Sequence, residues 1–343
     1  MGTKIEWCQE VWNPVVGCSK CSPGCDHCYA ERMAGRLAAI EISKKSGIDI
    51  TRGIGRYASV INSDGKWNGI TEMDRNYDPK GEALKPLRIK KSKLIFVCSM
   101  GDLFHDNVKP NTLLSICNVQ ASAPQHTYIW LTKRPERMRD FIVSTFGKGG
   151  PGKNVWCGVT VCNGAEAEKK ISVLLKIPAT VRFISIEPML SKIDFRMWLN
   201  LYGHIGPPCC VEKEGFHRIS EYNGSKNQSL IDWVIVGGES GTGARPMHPE
   251  WARLIRDQCA VAMVPFLFKQ WGEWAPGECI ESQRKYSTKI YDGAGGWDSC
   301  SDDWITEKDY GPIMYRAGKK NTGRLLDGNI HDEYPTQLYD SRY

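Results

Sequence analysis

Long hydrophobic runs and a targeting pattern are missing from this sequence. The longest apolar runs, residues 94–97 and 264–268, are far too short to cross a bilayer. The first ten residues show no charged segment followed by an apolar one, which is the pattern of a secretory signal peptide. We therefore expect a cytoplasmic protein without a membrane partner.

The sequence also lacks a long block of basic residues. Lys and Arg number 45 against 39 Asp and Glu, which gives a net charge of +6 over 343 residues. The densest basic stretch, residues 85–93, has the composition of a solvated face before a strand. This charge permits DNA, RNA or a nucleotide as a partner but does not require one.

Histidine is scarce and cysteine is abundant. The sequence has seven histidines, and neither His105 nor His126 belongs to a recognisable ligand spacing, so we expect both to be structural. The 14 cysteines do not indicate a secreted disulfide framework, because such frameworks occur in small chains with signal peptides. Several cysteines lie inside apolar segments, where a free thiol behaves as a small hydrophobic group. These are Cys98, Cys117, Cys157 and Cys259.

Short apolar runs alternate with helix-like stretches along the chain. The predicted strands are residues 11–16, 94–98, 127–131, 155–161, 181–186, 233–236 and 265–268. The predicted helices are residues 28–40, 111–122, 134–145, 165–175 and 249–261. Because the runs are almost continuously hydrophobic, we expect strands buried on both faces of a parallel sheet. The alternation predicts an α/β fold, as a complete or partial TIM-type barrel.

Two polar segments interrupt this alternation. Residues 41–83 and 201–230 are predicted to be insertions or lids on a barrel spanning residues 1–274. Residues 275–343 are polar and rich in Gly, Asp and Tyr. We expect them to form a C-terminal extension that packs on the barrel.

Four N-terminal cysteines are the strongest chemical signal. Cys18, Cys21, Cys25 and Cys28 lie between the first predicted strand and the first predicted helix. A loop with Pro and Gly can fold back so that several thiolates converge. The spacing Cys21-x3-Cys25-x2-Cys28 is that of the radical-SAM motif, in which three thiolates hold a [4Fe–4S] cluster. Cys18-x6-Cys25-x2-Cys28 is the competing set of three.

Zinc is the alternative metal for this loop, since four cysteines suit a tetrahedral site. Zinc ribbons and knuckles usually pair two short Cys-x2-Cys turns across a longer segment, whereas here Cys18-x2-Cys21 and Cys25-x2-Cys28 are separated by only three residues. The spacing therefore favours an iron–sulfur cluster over zinc.

Polar residues follow the predicted strands, at the carboxyl ends where α/β barrels build their active sites. The candidates for holding a cofactor or substrate are Ser99, Asp102, Lys133, Glu187, Gly237, Gly238 and Glu239. Lys133 and Arg134 suit a carboxylate or phosphate. Gly237-Gly238 equally suits a tight turn, and Glu239 equally suits a helix cap. We expect these residues to line one common opening at the carboxyl ends of the barrel strands.

Motifs that carry a family resemblance cover almost the whole chain. Around the cysteines they are residues 4–7, 12–14, 17–18, 22–25 and 28–32. Further along they are residues 99–105, 124–127, 131–138, 154–156, 181–188, 231–241, 244–249, 268–272 and 323–328. Together they resemble the phage-associated three-cysteine-motif family, which is radical-SAM-like. The resemblance implies Cys18, Cys25 and Cys28 as cluster ligands, Cys21 as an extra thiol, and a bacterial or phage-infected host cell.

These features predict a radical-SAM-like enzyme with a [4Fe–4S] cluster and S-adenosylmethionine as cofactors. An electron from a flavodoxin- or ferredoxin-type donor would generate a 5′-deoxyadenosyl radical that abstracts hydrogen from substrate. The phage setting and the mild basic charge suggest a nucleobase or nucleic acid, in modification or repair. Two alternatives stay open: a zinc- or iron–sulfur-stabilised nucleic-acid-binding protein without catalysis, and an iron–sulfur electron carrier or sensor.

Overall fold

The computed structural model describes residues 3, 5–45, 55–73, 81–199, 201, 230–280, 286–300 and 311–335. The chain divides into two compact units. Unit 1 comprises Met1–Thr160 and Lys170–Thr180, and unit 2 comprises Val161–Lys169 and Val181–Tyr343. Nearly all of the predicted insertion at residues 201–230 lies outside the described residues.

Unit 1 is built from alternating strands and helices. In chain order they are β1 (Glu10–Trp12), β2 (Val15–Val16), α1 (Tyr29–Lys45), β3 (Glu72–Met73), α2 (Lys85–Arg88), β4 (Leu94–Val97), α3 (Pro110–Ala121), β5 (Thr127–Thr132), α4 (Pro135–Phe146) and β6 (Val155–Thr160). Helix α5 (Gly164–Leu174) begins in unit 2 and ends in unit 1. The pairs β1–β4, β4–β5 and β5–β6 are all parallel, whereas β2 and β3 pair antiparallel.

Burial on both faces explains why these strands form. Every residue of β4 and of β6 is buried, as their continuous apolar character predicts. Helices α3 and α4 begin at Pro110 and Pro135, whose fixed φ suits the first helical position. Helix α4 then buries Met138 and Ile142, four residues apart on one face.

The predicted strand at residues 11–16 is wrong in one respect, because it is split into β1 and β2. Pro14 lies in the break and has no N–H for a sheet ladder. The Asn13 side chain accepts hydrogen bonds from Ser99 Oγ and Met100 N, both at 3.1 Å. These two hydrogen bonds therefore join the segment between β1 and β2 to the residues that follow β4.

The described part of the predicted insertion at residues 41–83 packs on α1. Val60 is buried in a cluster with Ala30 and Ala34, and Trp67 packs against it. The Trp67 N–H donates to the buried Glu31 carboxylate at 3.1 Å. This segment belongs to the core of unit 1.

Unit 2 contains three parallel strands and a separate antiparallel sheet. Its elements are β7 (Arg182–Ile186), β8 (Trp233–Gly237), α6 (Pro249–Ala262), β9 (Phe266–Gln270), β10 (Ala275–Pro276), β11 (Thr288–Tyr291), β12 (Trp297–Cys300), β13 (Ile313–Tyr315) and α7 (Lys319–Thr322). Strands β7, β8 and β9 pair in that order. Strands β10, β13, β11 and β12 form the antiparallel sheet in that order.

The C-terminal extension packs on β9. Phe268 N donates to His331 O at 2.9 Å, and Leu267 forms an antiparallel bridge with Asp332. The Trp271 indole N–H donates to Leu325 O at 2.8 Å. This pairing covers backbone groups of β9 that would otherwise be open to another strand.

Seven parallel strands with intervening helices, four strands in unit 1 and three in unit 2, establish the predicted α/β class. The other six predicted strands and four of the five predicted helices form within two residues of their predicted bounds. The helix predicted at residues 28–40 is longer than expected, because α1 continues to Lys45. Among the described residues, no helix has both the length and the apolar character needed to cross a membrane.

Gly238 marks a close backbone approach in unit 2. A Cβ placed on Gly238 would lie 1.8 Å from Trp271 O, well inside van der Waals contact. The Gly238 N–H donates to Gln270 O at 2.9 Å, so the two segments are fixed at this spacing. Glycine is therefore required here by backbone packing.

We expect Gly238→Ala to lower the free energy of unfolding by about 3 kcal/mol, because the added methyl group must displace the Trp271 carbonyl. Urea denaturation checks this. Gly164→Ala is the control, since its added Cβ would lie 4.0 Å from the nearest heavy atom named, Lys192 O. Equal stability of the two variants would contradict the close approach.

His248 is packed into an aromatic cluster at the start of α6. Its ring stacks on Trp251, with centroids 5.4 Å apart, and meets the edge of Tyr291 at 4.8 Å. Its Nδ1 accepts from Glu250 N at 3.2 Å and so caps the helix. Burial lowers the pKa of His248 to about 4, with the Glu250 charge raising it and the Arg253 charge lowering it.

The depressed pKa of His248 predicts acid destabilisation. The unfolded chain binds a proton at His248 near pH 6.5 and the folded chain near pH 4, so stability falls as the pH drops between these values. His248→Asn keeps a capping oxygen but does not titrate. We expect its stability to depend less on pH across this range than that of the wild type, measured by thermal melts. Parallel pH profiles would refute the assignment.

Candidate cysteine-loop site and carboxylate cluster

The four cysteines lie on a structured loop in unit 1. The loop begins at Gly17, whose N–H donates to Met100 O at 3.2 Å. Gly17 has φ +96°, and a Cβ there would lie 2.2 Å from Ile70 O, so only glycine fits. Ser22 then caps a tight turn at Pro23–Cys25 by accepting from Gly24 N at its Oγ, at 3.1 Å.

The loop ends at the first turn of α1, where Cys28 O accepts from Arg32 N at 3.3 Å. The N-terminus of a helix favours negative charge, so this position suits a thiolate. Cys25 is buried, Cys18 and Cys28 are half-buried and Cys21 is exposed. The four thiols of the loop therefore range from buried to solvent-exposed.

The thiols influence one another. A hydrogen bond from the Cys21 thiol lowers the pKa of Cys25 to about 5, and the charge of Lys133 acts in the same direction. The same hydrogen bond raises the pKa of Cys21. Burial raises the pKa of Cys18 to about 12, although the Arg134 guanidinium opposes this.

Lys133 supplies positive charge beside the thiols. Burial works to lower its pKa, but the negative charges of Cys25, Cys28 and Asp102 outweigh burial and raise the pKa. Lys133 therefore stays an ammonium group next to the cysteine loop. A cation here offsets the charge that bound thiolates carry.

The carboxylate of Asp102 accepts hydrogen bonds from residues at the end of β5 and from its own loop. Its Oδ1 accepts from Thr132 Oγ1 at 2.7 Å and from Phe104 N at 2.9 Å. Its Oδ2 accepts from Lys133 N at 3.1 Å and from Arg134 Nη1 at 3.2 Å. Both carboxylate oxygens of this buried residue are thus engaged by the protein, which makes Asp102 a positioning residue.

Arg134 connects Asp102 to the cysteine loop. Its Nη2 donates to Ser19 O at 3.0 Å and to Ser19 Oγ at 2.9 Å. Ser19 Oγ also lies 2.8 Å from His105 Nε2. Because His105 Nδ1 accepts from Asn107 N, its Nε2 carries the proton and donates to Ser19. Burial lowers the pKa of His105, which favours this neutral form.

The other predicted residues of unit 1 also connect elements. Ser99 Oγ donates to Asn13 Oδ1, and Ser99 O accepts from Tyr29 OH at 2.8 Å. Ser99 therefore joins the ends of β1 and β4 to the start of α1. His126 is buried and its Nδ1 accepts from Lys93 N at 3.2 Å, which makes it structural.

Unit 2 contains a separate polar cluster around the carboxylate of Glu187, at the ends of its parallel strands. Lys269 Nζ donates to both oxygens of Glu187, at 2.6 and 2.8 Å. Gln270 Nε2 donates to Glu187 Oε1 at 3.4 Å and to Ser240 Oγ at 3.2 Å. The Glu187 side chain keeps 23% of its surface exposed. Gln270 Oε1 is buried without a hydrogen-bond partner.

The glycines and Glu239 have different surroundings. A Cβ on Gly237 would lie 3.4 Å from Lys269 Cβ, which is ordinary van der Waals contact, so Gly237 borders the Glu187–Lys269 pair without being sterically required. Buried Glu239 forms a two-oxygen ion pair with Arg245, whose Nη2 and Nε lie at 2.7 and 2.9 Å. Arg245 N also donates to Glu239 Oε2 at 2.8 Å. The Glu239 carboxylate is therefore occupied by the chain itself.

The structure gathers the candidates into two groups. The cysteines, Ser99, Asp102 and Lys133 belong to unit 1, while Glu187, Gly237, Gly238 and Glu239 belong to unit 2. Lys269 and Gln270 directly follow the strand predicted at residues 265–268, but sequence reasoning did not include them, or Arg245, among the final candidates. Lys269 and Gln270 end a buried strand, which was a usable signal, whereas no pattern indicated Arg245 as the partner of Glu239.

The four cysteines have the side-chain chemistry that suits either an iron–sulfur cluster or zinc, because thiolates are preferred ligands of both. The cations Lys133 and Arg134 beside the loop also suit a centre held by several thiolates. Among the described residues, no three Cys, His, Asp or Glu side chains already stand close enough together to hold a metal ion.

These features define an α/β protein with an N-terminal cysteine loop. The family described as "Protein of unknown function (DUF5131)" matches residues 2–335, so the chain belongs to that family. Comparisons with curated proteins and with solved structures gave no match.

We expect Asp102→Asn to lower the free energy of unfolding by about 2 kcal/mol, because an amide N–H₂ would face N–H donors in place of an accepting oxygen. Thermal and urea denaturation check this. Asp106→Asn is the matched control, since the Asp106 side chain is 78% exposed and lies 3.8 Å from Arg134 Nε. A small and equal effect in both variants would contradict the role of Asp102.

Proposed function

We propose that this protein is a radical-SAM-like enzyme that binds a [4Fe–4S] cluster through Cys18, Cys25 and Cys28. The observation that carries the proposal is the loop itself, with four thiols between β2 and α1 beside Lys133 and Arg134. The seven parallel strands support a partial TIM-type barrel of the radical-SAM kind. We further propose a nucleobase or nucleic acid as substrate and a flavodoxin- or ferredoxin-type electron donor.

When bound, the cluster and S-adenosylmethionine would supply the one-electron chemistry for hydrogen abstraction. The residues of the chain hold and orient these groups. Lys133 and Arg134 offset thiolate charge, Asp102 fixes both of them at the end of β5, and Ser99 joins the adjoining elements. Cys21 is the extra thiol, exposed at the surface of the loop.

In unit 2 we propose Glu187 as the residue that contacts the cofactor or substrate. Its carboxylate is held by Lys269 and remains partly exposed, so it can accept a further hydrogen bond. Gly237 lies directly beside this pair. Gly238 and Glu239 support the site indirectly, because their surroundings are filled by Trp271 and Arg245.

Anaerobic purification tests the proposal directly. We expect iron and sulfide in equal amounts, about four of each per chain. Added S-adenosylmethionine and a reductant should then yield 5′-deoxyadenosine. Stoichiometric zinc without iron would contradict the enzyme and favour the zinc-stabilised nucleic-acid-binding alternative. Iron without cleavage of S-adenosylmethionine would favour an electron carrier or sensor.

Single cysteine variants test the ligand set. We expect Cys18→Ala, Cys25→Ala and Cys28→Ala each to lose most of the bound iron, because three thiolates are needed to hold the cluster. Cys21→Ala should retain it. Cys117→Ala, on α3, is the control for loss of a thiol elsewhere. Loss of iron in Cys21→Ala with retention in Cys18→Ala would reverse the assignment.

A further inference from the structure

We propose that Arg134 is the positioning residue that holds Cys18 in the ligand loop and adjusts the reduction potential of the bound centre. The part that concerns reduction potential rests on the proposed function. The part that concerns the position of the loop does not, since its contacts form in the chain without a metal.

The guanidinium of Arg134 joins the sheet to the loop. Its Nη1 lies 3.2 Å from Asp102 Oδ2 and 3.8 Å from Cys18 Sγ, and its Nη2 donates twice to Ser19. Only 10% of the side chain is exposed. Asp102 is in turn fixed by Thr132 at the end of β5. A rigid chain of contacts therefore runs from β5 to the residue next to Cys18.

The charge of Arg134 acts on both competing cysteines, but its hydrogen bond to sulfur distinguishes them. Its N–H group points to the sulfur of Cys18, which is half-buried. The Cys21 thiol is exposed and is hydrogen-bonded to Cys25. The fold thus fixes the surroundings of Cys18 before any metal arrives and leaves Cys21 at the surface.

The charge of Arg134 has a second effect once a cluster is bound to Cys18. Reduction adds negative charge to the cluster, and a hydrogen bond from a cation to a ligand sulfur stabilises the reduced form. Arg134 should therefore raise the reduction potential. Lysine cannot reproduce this fully, because a point charge lacks the planar fork that reaches Asp102, Ser19 and Cys18 at once.

Hydrogen–deuterium exchange on the metal-free full chain tests the positional role, with Arg134→Gln as the variant. Peptides covering residues 17–28 report the loop through the amides of Gly17, Gly24 and Cys25, which are hydrogen-bonded. We expect about tenfold faster exchange there, from the loss of about 1.4 kcal/mol of hydrogen bonding. Peptides covering β6 should be unchanged, which shows that the variant is folded.

Arg139→Gln, on helix α4, which begins directly after Arg134, is the matched control, because Arg139 pairs with the neighbouring Asp140. It should exchange like the wild type throughout, and Arg134→Lys should give an intermediate rate. Wild-type exchange of the loop in Arg134→Gln would overturn the positional role. Equally fast exchange in Arg139→Gln would overturn it too, because the effect would then not be specific to Arg134.

Potentiometric titration of the reconstituted cluster tests the electrostatic role. We expect the reduction potential of Arg134→Gln to be more negative than that of the wild type. Arg134→Lys should have an intermediate potential, and Arg139→Gln should have the wild-type potential. An unchanged potential would overturn the electrostatic role. A wild type that binds no iron would refute the proposed function and with it the electrostatic role, while the exchange measurements would still decide the positional role.

Discussion

The buried carboxylate of Asp102 connects segments of unit 1 that are distant in sequence. It accepts hydrogen bonds from the end of β5, from its own loop and from Arg134, which reaches the cysteine loop through Ser19. A buried charge is stable only when it is paired and hydrogen-bonded, so these groups must assemble together. The position of the cysteines is therefore coupled to the formation of the parallel sheet.

Unit 2 follows the same physical rule with different residues. Glu187 is paired with Lys269, and Glu239 is paired with Arg245 through two oxygens. In each pair a carboxylate just after a buried strand is neutralised within the unit. The pairs differ in exposure, because Glu187 remains partly open whereas Glu239 is buried. This difference separates a residue suited to contacting a ligand from one that stabilises the fold.

Hydrophobic periodicity predicted most of the strands and helices because both faces of the sheet are buried. It failed at residues 11–16, where Pro14 breaks the ladder although the run remains apolar. The carboxyl ends of strands indicated Asp102 and Glu187, but not what those residues do. Arg134 approaches Ser19 across 115 positions in the sequence, and Lys269 approaches Glu187 across 82. Such pairings depend on the three-dimensional arrangement of the strands, which local pattern does not encode.

The pairing of residues 331–332 with β9 has a consequence for the order of events during synthesis. Strand β9 is complete once Gln270 has been made, but its neighbour from the C-terminal extension emerges only after residue 331. Until then, backbone groups of an apolar strand are free to pair with other chains. The extension is therefore among the last parts of the chain to be made, and the edge of β9 is covered only after it has been synthesised.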